Sequence, residues 1–530
     1  MEFLLLDLLI KGGQIIDGTA NRPFQADLGI KGQLIIVIGE TGSEARVSLE
    51  AGGLFIAPGF IDTHVHTDAA LLNDPIHQSG LQMGVTTEIL CQDGLSYAPL
   101  DAENYHQYSK YLSGLYGYPP QHLDMSSISS FRSHYHRNCS VNTVSLVPHS
   151  ALRLSTVGFN DVPLIGKSLA SAKTLLREGM EQGAVGMSTG LGFFPAAYAT
   201  TEELVQLAEV VKDMDGVFVI QYRFFNFDRS EGLSPVAEAL EIARRSGVKL
   251  HIAHYRTTPD NPGGTTSMMA ELDKAKSEGV DLTADIYPYS YGSTMPVCRF
   301  PGWFVEGGPE SIKKNLMNSI RRRRVVKFLE KTNGDALGDT IWSFIGSKKN
   351  HELEGQSWLD IAKYRGTSVA EMMCDILLEE DLQCGLSVKP PINDSIGYQI
   401  ESDVMRLLDR TDYMVGSDSI PLGDHPHPRT YGTFPKILGR LRRRYGTPIE
   451  QIIQRMTSNP AQRFKLSGRG EIRSGNFADL VIFDGDLVND RATFDNSLNP
   501  SVGIRYVLVN GQLSLKNGNS TGVLAGEAIP

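Results

Sequence analysis

Two histidines separated by a single residue, His64 and His66, are the side chains of this sequence best placed to do chemistry. They end a short apolar stretch that begins at Ala57. If this stretch is a β-strand, its side chains alternate between faces, so both imidazoles point the same way. Histidine is the commonest nitrogen ligand of zinc-type metals. The spacing predicts a metal site at a strand end, although an isolated His-x-His is also typical of polar residues leaving a strand.

Asp418 and Arg429 form a second group of chemically able residues far downstream. Asp418 follows an apolar segment that reads as another strand, where an aspartate is by default a helix N-cap or turn residue. It places an acidic side chain far downstream in the chain that matches the histidine pair. Arg429 offers a planar fork that matches a carboxylate bidentately. Both lie within one strand–loop connection, so we expect them to reach the same pocket.

The middle of the chain alternates short apolar strands with amphipathic helical patterns, which predicts a parallel βα array. Titratable residues repeatedly fall where a strand ends, as on the catalytic face of a (β/α)8 TIM barrel. A representative helix covers residues 201–210, with Thr200 and Thr201 as candidate N-caps. The predicted strands cover residues 141–147, 185–189, 217–220, 250–254 and 282–287.

Both chain ends contain β-branched runs separated by glycines, which is typical of a β-meander. We expect them to build one small β-sandwich around a contiguous catalytic domain. The predicted boundaries are 1–56 and 466–530 for the two parts of the sandwich and 57–465 for the barrel. Residues from about 293 to 410 break the alternation and predict an inserted helical segment that covers the site as a lid.

Composition limits the class of protein. The chain has 530 residues, a formal net charge of −11 and 41% hydrophobic residues, which is ordinary for a globular enzyme and unfavourable for nucleic-acid binding. Five irregularly spaced cysteines predict no disulfide framework and suit a reducing compartment. No apolar run approaches a membrane span. We expect a cytoplasmic enzyme without nucleic-acid or membrane partners; the oligomeric state stays open.

The chain resembles the amidohydrolase superfamily and, within it, the N-acyl-D-amino-acid deacylases, or D-aminoacylases. The resemblance rests on a Pro-Gly-Phe-Ile-Asp-x-His-x-His motif and on later Met-Ser-Thr-Gly-Leu, His-Pro-His-Pro-Arg and Asn-Pro-Ala segments. It extends over nearly the whole chain, through residues 58–66, 84–87, 183–191, 197–204, 251–254, 287–289, 416–418, 425–429, 457–461 and 475–480. The resemblance implies a metal-dependent TIM barrel flanked by a β-sandwich.

The resemblance also implies roles for individual residues. Asp418 would be the general base and acid and would also be able to touch the metal. His254 would be a metal ligand beside His64 and His66, whereas His251 alternates to another face and is expected to be structural. Arg429 would bind the α-carboxylate of the acylated amino acid.

Two positions depart from the family pattern. The family's metal-binding cysteine falls on Asp93, with Cys91 two residues earlier as an alternative ligand if the loop shifts. A family histidine falls on Gln221, which is a poor metal ligand and is expected to donate hydrogen bonds to water or substrate. Carboxylate and amide oxygens suit harder ions than thiolates do. We therefore expect a divalent metal, zinc before manganese, with one firm site and an uncertain second one.

Aromatic and basic residues complete the predicted substrate site. Tyr287 is expected to donate to the substrate carboxylate or to the developing oxyanion, with Tyr289 as the alternative. Arg223 and Arg256 are candidates for holding a second carboxylate, but ordinary surface pairing is the interpretation we prefer for each.

These features predict a hydrolase that cleaves the amide bond of an N-acyl-D-amino acid, a small-molecule substrate, with water activated by a metal. One alternative is a cyclic-amide hydrolase of the dihydropyrimidinase or hydantoinase type, which usually carries a carboxylated lysine that the matching strand ends lack here. Another is a non-catalytic scaffold that has lost its metals, motivated by the changes at positions 93 and 221.

Overall fold

The computed structural model describes residues 5–223, 229–230 and 232–530. Within them, eight short strand segments of the central region lie side by side and parallel to one another. Hydrogen-bonded pairing follows chain order through these strands, which are Phe60–Asp62, Val85–Leu90, Asn142–Ser145 with its continuation Val147–Pro148, Gly186–Gly190, Val217–Gln221, Lys249–Ile252, Leu282–Ile286 and Tyr413–Val415. The strand predictions of the central region are therefore confirmed, with ends that agree to within two residues.

The first and last of these strands meet and close the barrel. Val65 forms an isolated parallel bridge with Ser419. The Asp418 N–H donates to the His64 carbonyl at 2.7 Å, and the His66 N–H donates to the Ser419 carbonyl at 2.9 Å. Gly416 permits this approach, because a Cβ there would lie 2.6 Å from the His64 Cβ. The fold is a (β/α)8 barrel whose seam lies at the predicted site.

Helices cover the outside of the barrel between successive strands. Thr200 caps the helix Thr201–Asp213 by accepting a hydrogen bond from the Glu203 N–H at 3.2 Å, as the sequence predicts. The principal helices of this layer are Ala102–Tyr116, His149–Val157, Gly166–Glu181, Thr201–Asp213, Pro235–Ser246, Thr265–Ser277, Asp394–Leu408, Arg429–Lys436 and Ile449–Met456.

The two chain ends are joined in one sheet with an apolar core of its own. Strand Phe55–Pro58 from the N-terminal side pairs antiparallel with Leu480–Phe483 from the C-terminal side. The other strands of this sheet are Leu6–Ile15, Phe24–Lys31, Leu34–Ile38, Ala45–Glu50, Ile504–Val509, Gln512–Lys516 and Asn519–Ser520. The first of these strands, Leu6–Ile15, has a register shift between Ile10 and Gly13.

The segment expected to be one strand before the histidines is in fact two. Phe55–Pro58 belongs to the terminal sheet and Phe60–Asp62 to the barrel, and the chain passes between them at Gly59. A Cβ at Gly59 would lie 2.2 Å from the Thr86 side chain, so the crossing needs glycine. His64 and His66 consequently lie beyond the strand, in the extended seam that contacts Ser419.

The inserted segment is not purely helical, contrary to expectation. It contains a three-stranded sheet of Ser293–Thr294, Thr340–Ile345 and Cys384–Val388 together with its helices. The sheet packs on helix Ala102–Tyr116, where Gly114 lies against the backbone of Cys384. The helices are Gly302–Val305, Gly308–Met317, Ser319–Asn333, Trp358–Arg365 and Val369–Glu379. No helix in the described part of the chain is long and apolar enough to cross a membrane.

Candidate active site

Four predicted residues converge where the barrel seam closes. The His66 Nε2 atom lies 3.2 Å from the Asp418 Oδ1 atom and 3.5 Å from the Asp93 Oδ2 atom. The His64 Nε2 atom lies 3.6 Å from the Asp93 Oδ1 atom and 3.9 Å from the Asp418 Oδ1 atom. All four side chains are buried. Two imidazoles and two carboxylates therefore face one another at the carboxyl ends of the strands.

His254 and Gln221 complete the cluster from neighbouring strands. The rings of His64 and His254 lie 5.0 Å apart, centroid to centroid. The Gln221 Nε2 atom is 3.3 Å from the His254 Nε2 atom. Burial lowers the pKa of His254, with the nearby His64 adding to the effect, which favours the neutral imidazole that binds metals.

The donor set fits a divalent metal. Ligand atoms within 4.8 Å of one another form two groups that share His64: one adds Asp93 and His254, the other His66 and Asp418. In the described residues, His64 Nε2, Asp93 Oδ1 and Gln221 Oε1 are buried atoms without a hydrogen-bond partner. Such orphaned atoms are costly unless a ligand satisfies them. Imidazole and carboxylate donors suit zinc and manganese.

Cys91 is outside both groups. Its side chain is buried, and burial raises the pKa of the thiol well above its usual value, with Asp68 adding to the effect. A thiol with a raised pKa is a poor ligand, because metals bind the thiolate. The short loop after the second barrel strand therefore presents Asp93 to the histidines and turns Cys91 towards Asp68.

Several of these residues have positive backbone φ angles, a conformation that residues other than glycine rarely adopt. The φ angles of Cys91, Asp93, His254 and Asp418 are 65°, 56°, 34° and 55°. Positive φ values at residues of this kind are uncommon, and their clustering is typical of functional sites.

Asp285 is a candidate functional residue that was not predicted from the sequence. Its Oδ1 atom accepts a hydrogen bond from the His254 N–H at 2.6 Å, and its Oδ2 atom lies 3.0 Å from the His251 Nε2 atom and 3.7 Å from the His64 Nδ1 atom. It thus contacts two candidate metal ligands, His254 at its backbone N–H and His64 at its imidazole. The signal was available, since Asp285 lies near the end of a barrel strand, two residues before Tyr287.

Arg429 lies at the start of its helix and contacts the same aspartate. The Nη1 atom of Arg429 is 2.7 Å from the Asp418 Oδ2 atom. Burial raises the pKa of Asp418, but the charges of Arg429 and the neighbouring histidines outweigh burial and lower it overall. The Asp418 carboxylate is therefore ionised.

A cavity of about 260 Å³ opens beside this cluster. Its wall combines barrel residues with residues of the inserted segment. The polar and charged side chains that line it include Gln221, His254, Arg256, Tyr287, Asp418 and Arg429. Tyr289 is buried elsewhere, with its hydroxyl 3.4 Å from the Pro428 carbonyl, and lines a separate cavity.

The surface pairing expected for Arg223 and Arg256 is wrong in different ways. Arg223 is paired, but the pair is buried: its Nε atom donates to Glu238 at 2.8 Å. Arg256 lies 4.1 Å from the centroid of the Tyr287 ring and lines the cavity. Only Arg256 of the two is therefore available to a bound molecule.

The barrel and its buried cluster of imidazoles and carboxylates define the class of metal-dependent amidohydrolases. Residues 347–514 match the amidohydrolase family. The chain is 32% identical to an N-acyl-D-glutamate deacylase of Alcaligenes xylosoxydans xylosoxydans, over 96% of this chain and 93% of that protein. It is 30% identical to a D-aminoacylase of the same organism, over 99% of this chain and 97% of that protein. The chain belongs to this D-aminoacylase family.

Solved structures give the same relationship. The crystal structure of an N-acyl-D-glutamate deacylase from Bordetella bronchiseptica, complexed with zinc and a phosphonate mimic of the tetrahedral intermediate, matches with a TM-score of 0.82 and 29% identity over 99% of this chain and all of that one. A D-aminoacylase described by its binuclear metal centre matches with a TM-score of 0.80 and 28% identity, over 99% of each chain. A D-hydantoinase, at 14% identity and a TM-score of 0.55 over 99% of this chain and 98% of that one, shares the fold alone.

Proposed function

We propose that this protein hydrolyses the amide bond of N-acyl-D-amino acids. The observation that carries the proposal is the position of Asp418. Its Oδ1 atom faces the imidazole of His66 at 3.2 Å, its Oδ2 atom contacts Arg429 at 2.7 Å, and the residue lines the cavity. One carboxylate therefore joins the candidate metal ligands to the candidate substrate-binding arginine.

The metal would be held by His64, His66, Asp93 and His254. Zinc is the ion we propose, because the donor set suits it and because the deacylase from Bordetella bronchiseptica binds zinc. A divalent ion in such a site supplies Lewis acidity, which polarises an amide carbonyl and makes water nucleophilic at neutral pH.

The residues of the chain provide the remaining functions. Asp418, ionised in the resting site, accepts the proton of the attacking water and returns it to the leaving amine, as a general base and then a general acid. Arg429 binds the α-carboxylate of the substrate through its planar fork. Tyr287 lines the cavity beside it, and its hydroxyl donates to the same carboxylate or to the oxyanion that develops on the carbonyl. Gln221, which also lines the cavity, donates to water or substrate.

Two further features bear on the location of the protein and on the size of its substrate. All five cysteines are free and buried, which suits a reducing compartment, and we propose a cytoplasmic location. The cavity volume of about 260 Å³ suits a small acylated amino acid rather than a polymer.

The proposal is tested by measuring amine release from matched D and L N-acyl amino acids. Metal-stripped protein is assayed before and after addition of Zn²⁺ or Mn²⁺. We expect turnover of at least one D substrate that requires metal and that is lost in Asp418→Asn protein. Turnover of dihydrouracil or a hydantoin, with none of the linear amides cleaved, would contradict the proposal in favour of a cyclic-amide hydrolase. Failure to retain metal or to cleave any amide would favour a scaffold.

A further inference from the structure

A second cavity, of about 510 Å³, lies next to the helix that begins with Arg429. It is larger than the cavity beside Asp418, which has about 260 Å³. Most of its wall comes from residues 288–291, helix Asp394–Leu408, residues 436–440 and residues 489–495. Among the described residues that line it, none has a role in the proposed function. The cavity therefore needs an explanation of its own.

The charged side chains that line this second cavity are balanced in sign. Six of them are described, three basic and three acidic: Lys436, Arg440, Arg491, Glu401, Asp490 and Asp495. Recognition depends on complementary charge, so a wall of this kind does not favour a simple cation or a simple anion. It matches a ligand that carries one charge of each sign.

Two of the acidic side chains have an oxygen without a hydrogen bond. The Glu401 Oε2 and Asp490 Oδ1 atoms are buried and accept no hydrogen bond from any described residue. Glu401 Oε2 lies 3.8 Å from Arg444 Nη1, and Asp490 Oδ1 lies 3.1 Å from Arg440 Nε. Burial raises the pKa of Asp490, and the nearby cations do not fully offset it. Buried acceptors are unfavourable unless a donor satisfies them, so these oxygens favour a ligand with an ammonium group.

Lys436 and Arg440 provide the positive side of the cavity. Lys436 is buried, and burial lowers its pKa although Glu401 lies 3.0 Å away. Arg440 lies in a π-helical turn, Ile437–Leu441, a feature frequent at functional sites. The two cations are four residues apart on one helical stretch and face the same side. A carboxylate in the cavity can therefore contact both.

Aromatic rings form the apolar part of the wall. Tyr289, Tyr291 and Phe494 line the cavity. The centroid of the Tyr291 ring lies 6.2 Å from that of Tyr289 and 5.9 Å from that of Phe494. Rings prefer edge-to-face or offset partners at such distances, so a further ring fits beside them. The wall suits a ligand with an aromatic side chain.

We propose that this second cavity is a binding site for a free α-amino acid with an aromatic side chain. The ammonium group of the ligand contacts Glu401 and Asp490. Its carboxylate contacts Lys436 and Arg440. Because such a ligand is neutral overall, it adds no uncompensated charge to the buried network. The site is separate from the cavity beside Asp418, and its existence does not depend on the proposed function.

The two cavities share structural elements. Helix Arg429–Lys436 lines one cavity with its first residue and the other with its last. The ring of His427 lies 4.4 Å from the ring of Tyr291, centroid to centroid, and its Nδ1 atom accepts a hydrogen bond from the Arg429 N–H at 3.1 Å. An amino acid beside Tyr291 therefore affects the residue that holds Arg429. Since Arg429 binds substrate under the proposed function, occupancy should change KM for the amide, and this consequence alone rests on that function.

Calorimetry on the full-length protein, without any amide substrate, measures binding directly. The probes are D- and L-phenylalanine, 2-phenylethylamine, which keeps only the ammonium group, and 3-phenylpropanoate, which keeps only the carboxylate. We expect phenylalanine of at least one configuration to bind about 10-fold or more tightly than either analogue, because each analogue loses a charged contact. An analogue that binds as tightly would overturn the ligand class. Absence of phenylalanine binding at millimolar concentration would overturn the site.

Variants locate the bound amino acid. Arg440→Gln and Asp490→Asn each remove one contact and should weaken phenylalanine binding by about 10-fold or more. Arg444→Gln is the matched control, because Arg444 also lies near Glu401, at 3.8 Å, but is not among the described lining residues. It should leave binding unchanged. Arg429→Gln alters the other cavity and should retain phenylalanine binding.

Each failure has a distinct signature. Binding that is lost in Arg429→Gln protein and kept in Arg440→Gln protein would locate the amino acid beside Asp418 and overturn the second site. Equal losses in Arg440→Gln and Arg444→Gln protein would also overturn it. Circular dichroism checks that each variant folds, and the comparison of analogues uses the wild-type protein in any case.

Turnover tests the connection between the cavities separately. Added phenylalanine should change KM for a cleaved amide in wild-type protein and leave it unchanged in Arg440→Gln protein. Binding without any change in KM would overturn the connection and keep the site. If no amide is cleaved at all, the proposed function fails, whereas the calorimetric result still decides on the amino-acid site.

Discussion

The Nη1 atom of Arg429 lies 2.7 Å from the Oδ2 atom of Asp418, and the other oxygen of Asp418 faces His66 at 3.2 Å. One carboxylate thus contacts both a basic residue of the cavity and the imidazole cluster. The charges of Arg429 and the neighbouring histidines lower the pKa of Asp418, so the carboxylate carries its negative charge. Under the proposed function, substrate binding at Arg429 and proton transfer at Asp418 would be coupled through this direct contact.

Asp418→Asn should abolish turnover while the fold and the metal content survive. The amide keeps the size of the side chain but removes the proton acceptor, and general acid–base catalysis is worth about 100-fold to 10,000-fold in rate. The measurement is kcat with metal content determined in parallel. A variant that keeps its metal and more than a tenth of the wild-type rate would exclude Asp418 as the general base.

Asp285→Asn should weaken metal binding, although Asp285 is not among the described residues that line the cavity. Asp285 accepts the His254 N–H at 2.6 Å and lies 3.7 Å from the His64 Nδ1 atom, so it orients two candidate ligands. Loss of such a partner typically costs about 10-fold to 100-fold in metal affinity. A competition titration with a chelator measures the effect. Thr283→Val is the control, because Thr283 contacts His251 at 2.8 Å and neither candidate ligand; equal weakening in both variants would argue against a specific role for Asp285.

Asp93→Cys should shift metal selectivity towards zinc. The Asp93 carboxylate lies 3.6 Å from His64 and 3.5 Å from His66, and a thiolate at this position is a softer donor. We expect a higher ratio of bound Zn²⁺ to bound Mn²⁺ after dialysis against an equal mixture, measured by elemental analysis. Asp93→Asn should lose metal of both kinds. An unchanged ratio in Asp93→Cys protein would mean that position 93 does not contact the ion.

Glu203→Gln should destabilise the barrel and reduce its sensitivity to acid. Glu203 is buried between Arg153 at 2.6 Å and His149 at 3.0 Å. Burial raises the pKa of Glu203, but His149 and Arg153 outweigh it and lower the pKa below its usual 4.5. A carboxylate with a lowered folded-state pKa stabilises above its unfolded pKa and loses that contribution as the pH falls below about 4.5.

Breaking one partner of such a buried pair costs about 3–5 kcal/mol. Denaturant unfolding at pH 7 should therefore show a large loss of stability in Glu203→Gln protein, and the gap from wild type should narrow towards pH 4. Glu202→Gln is the matched control, because its exposed contacts with Arg245 and Gln206 are worth little. A gap that widens in acid would reverse the sign assigned to Glu203.

Local sequence pattern was enough to predict some parts of the site and the fold, but not others. The spacing of His64 and His66 at the end of an apolar stretch was sufficient to expect a metal site, because local alternation in extended chain decides where neighbouring side chains point. The strand and helix alternation was likewise sufficient for the barrel. By contrast, the sequence did not predict that the apolar run is divided between two sheets at Gly59, because a single glycine within such a run does not by itself indicate a division.

The amino-acid sequence by itself determined the residue types of the site and the order of the barrel strands, because both follow from local pattern and from chain connectivity. Only the tertiary structure decided which charges meet. Asp285 contacts His64 and His254 across three strands, and Arg299 lines the cavity from an insertion that begins after the seventh strand. Whether an arginine is neutralised depends on distances between segments remote in the chain. Arg223 lies against Glu238 whereas Arg256 and Arg299 face the cavity, and the packing of whole elements sets that difference.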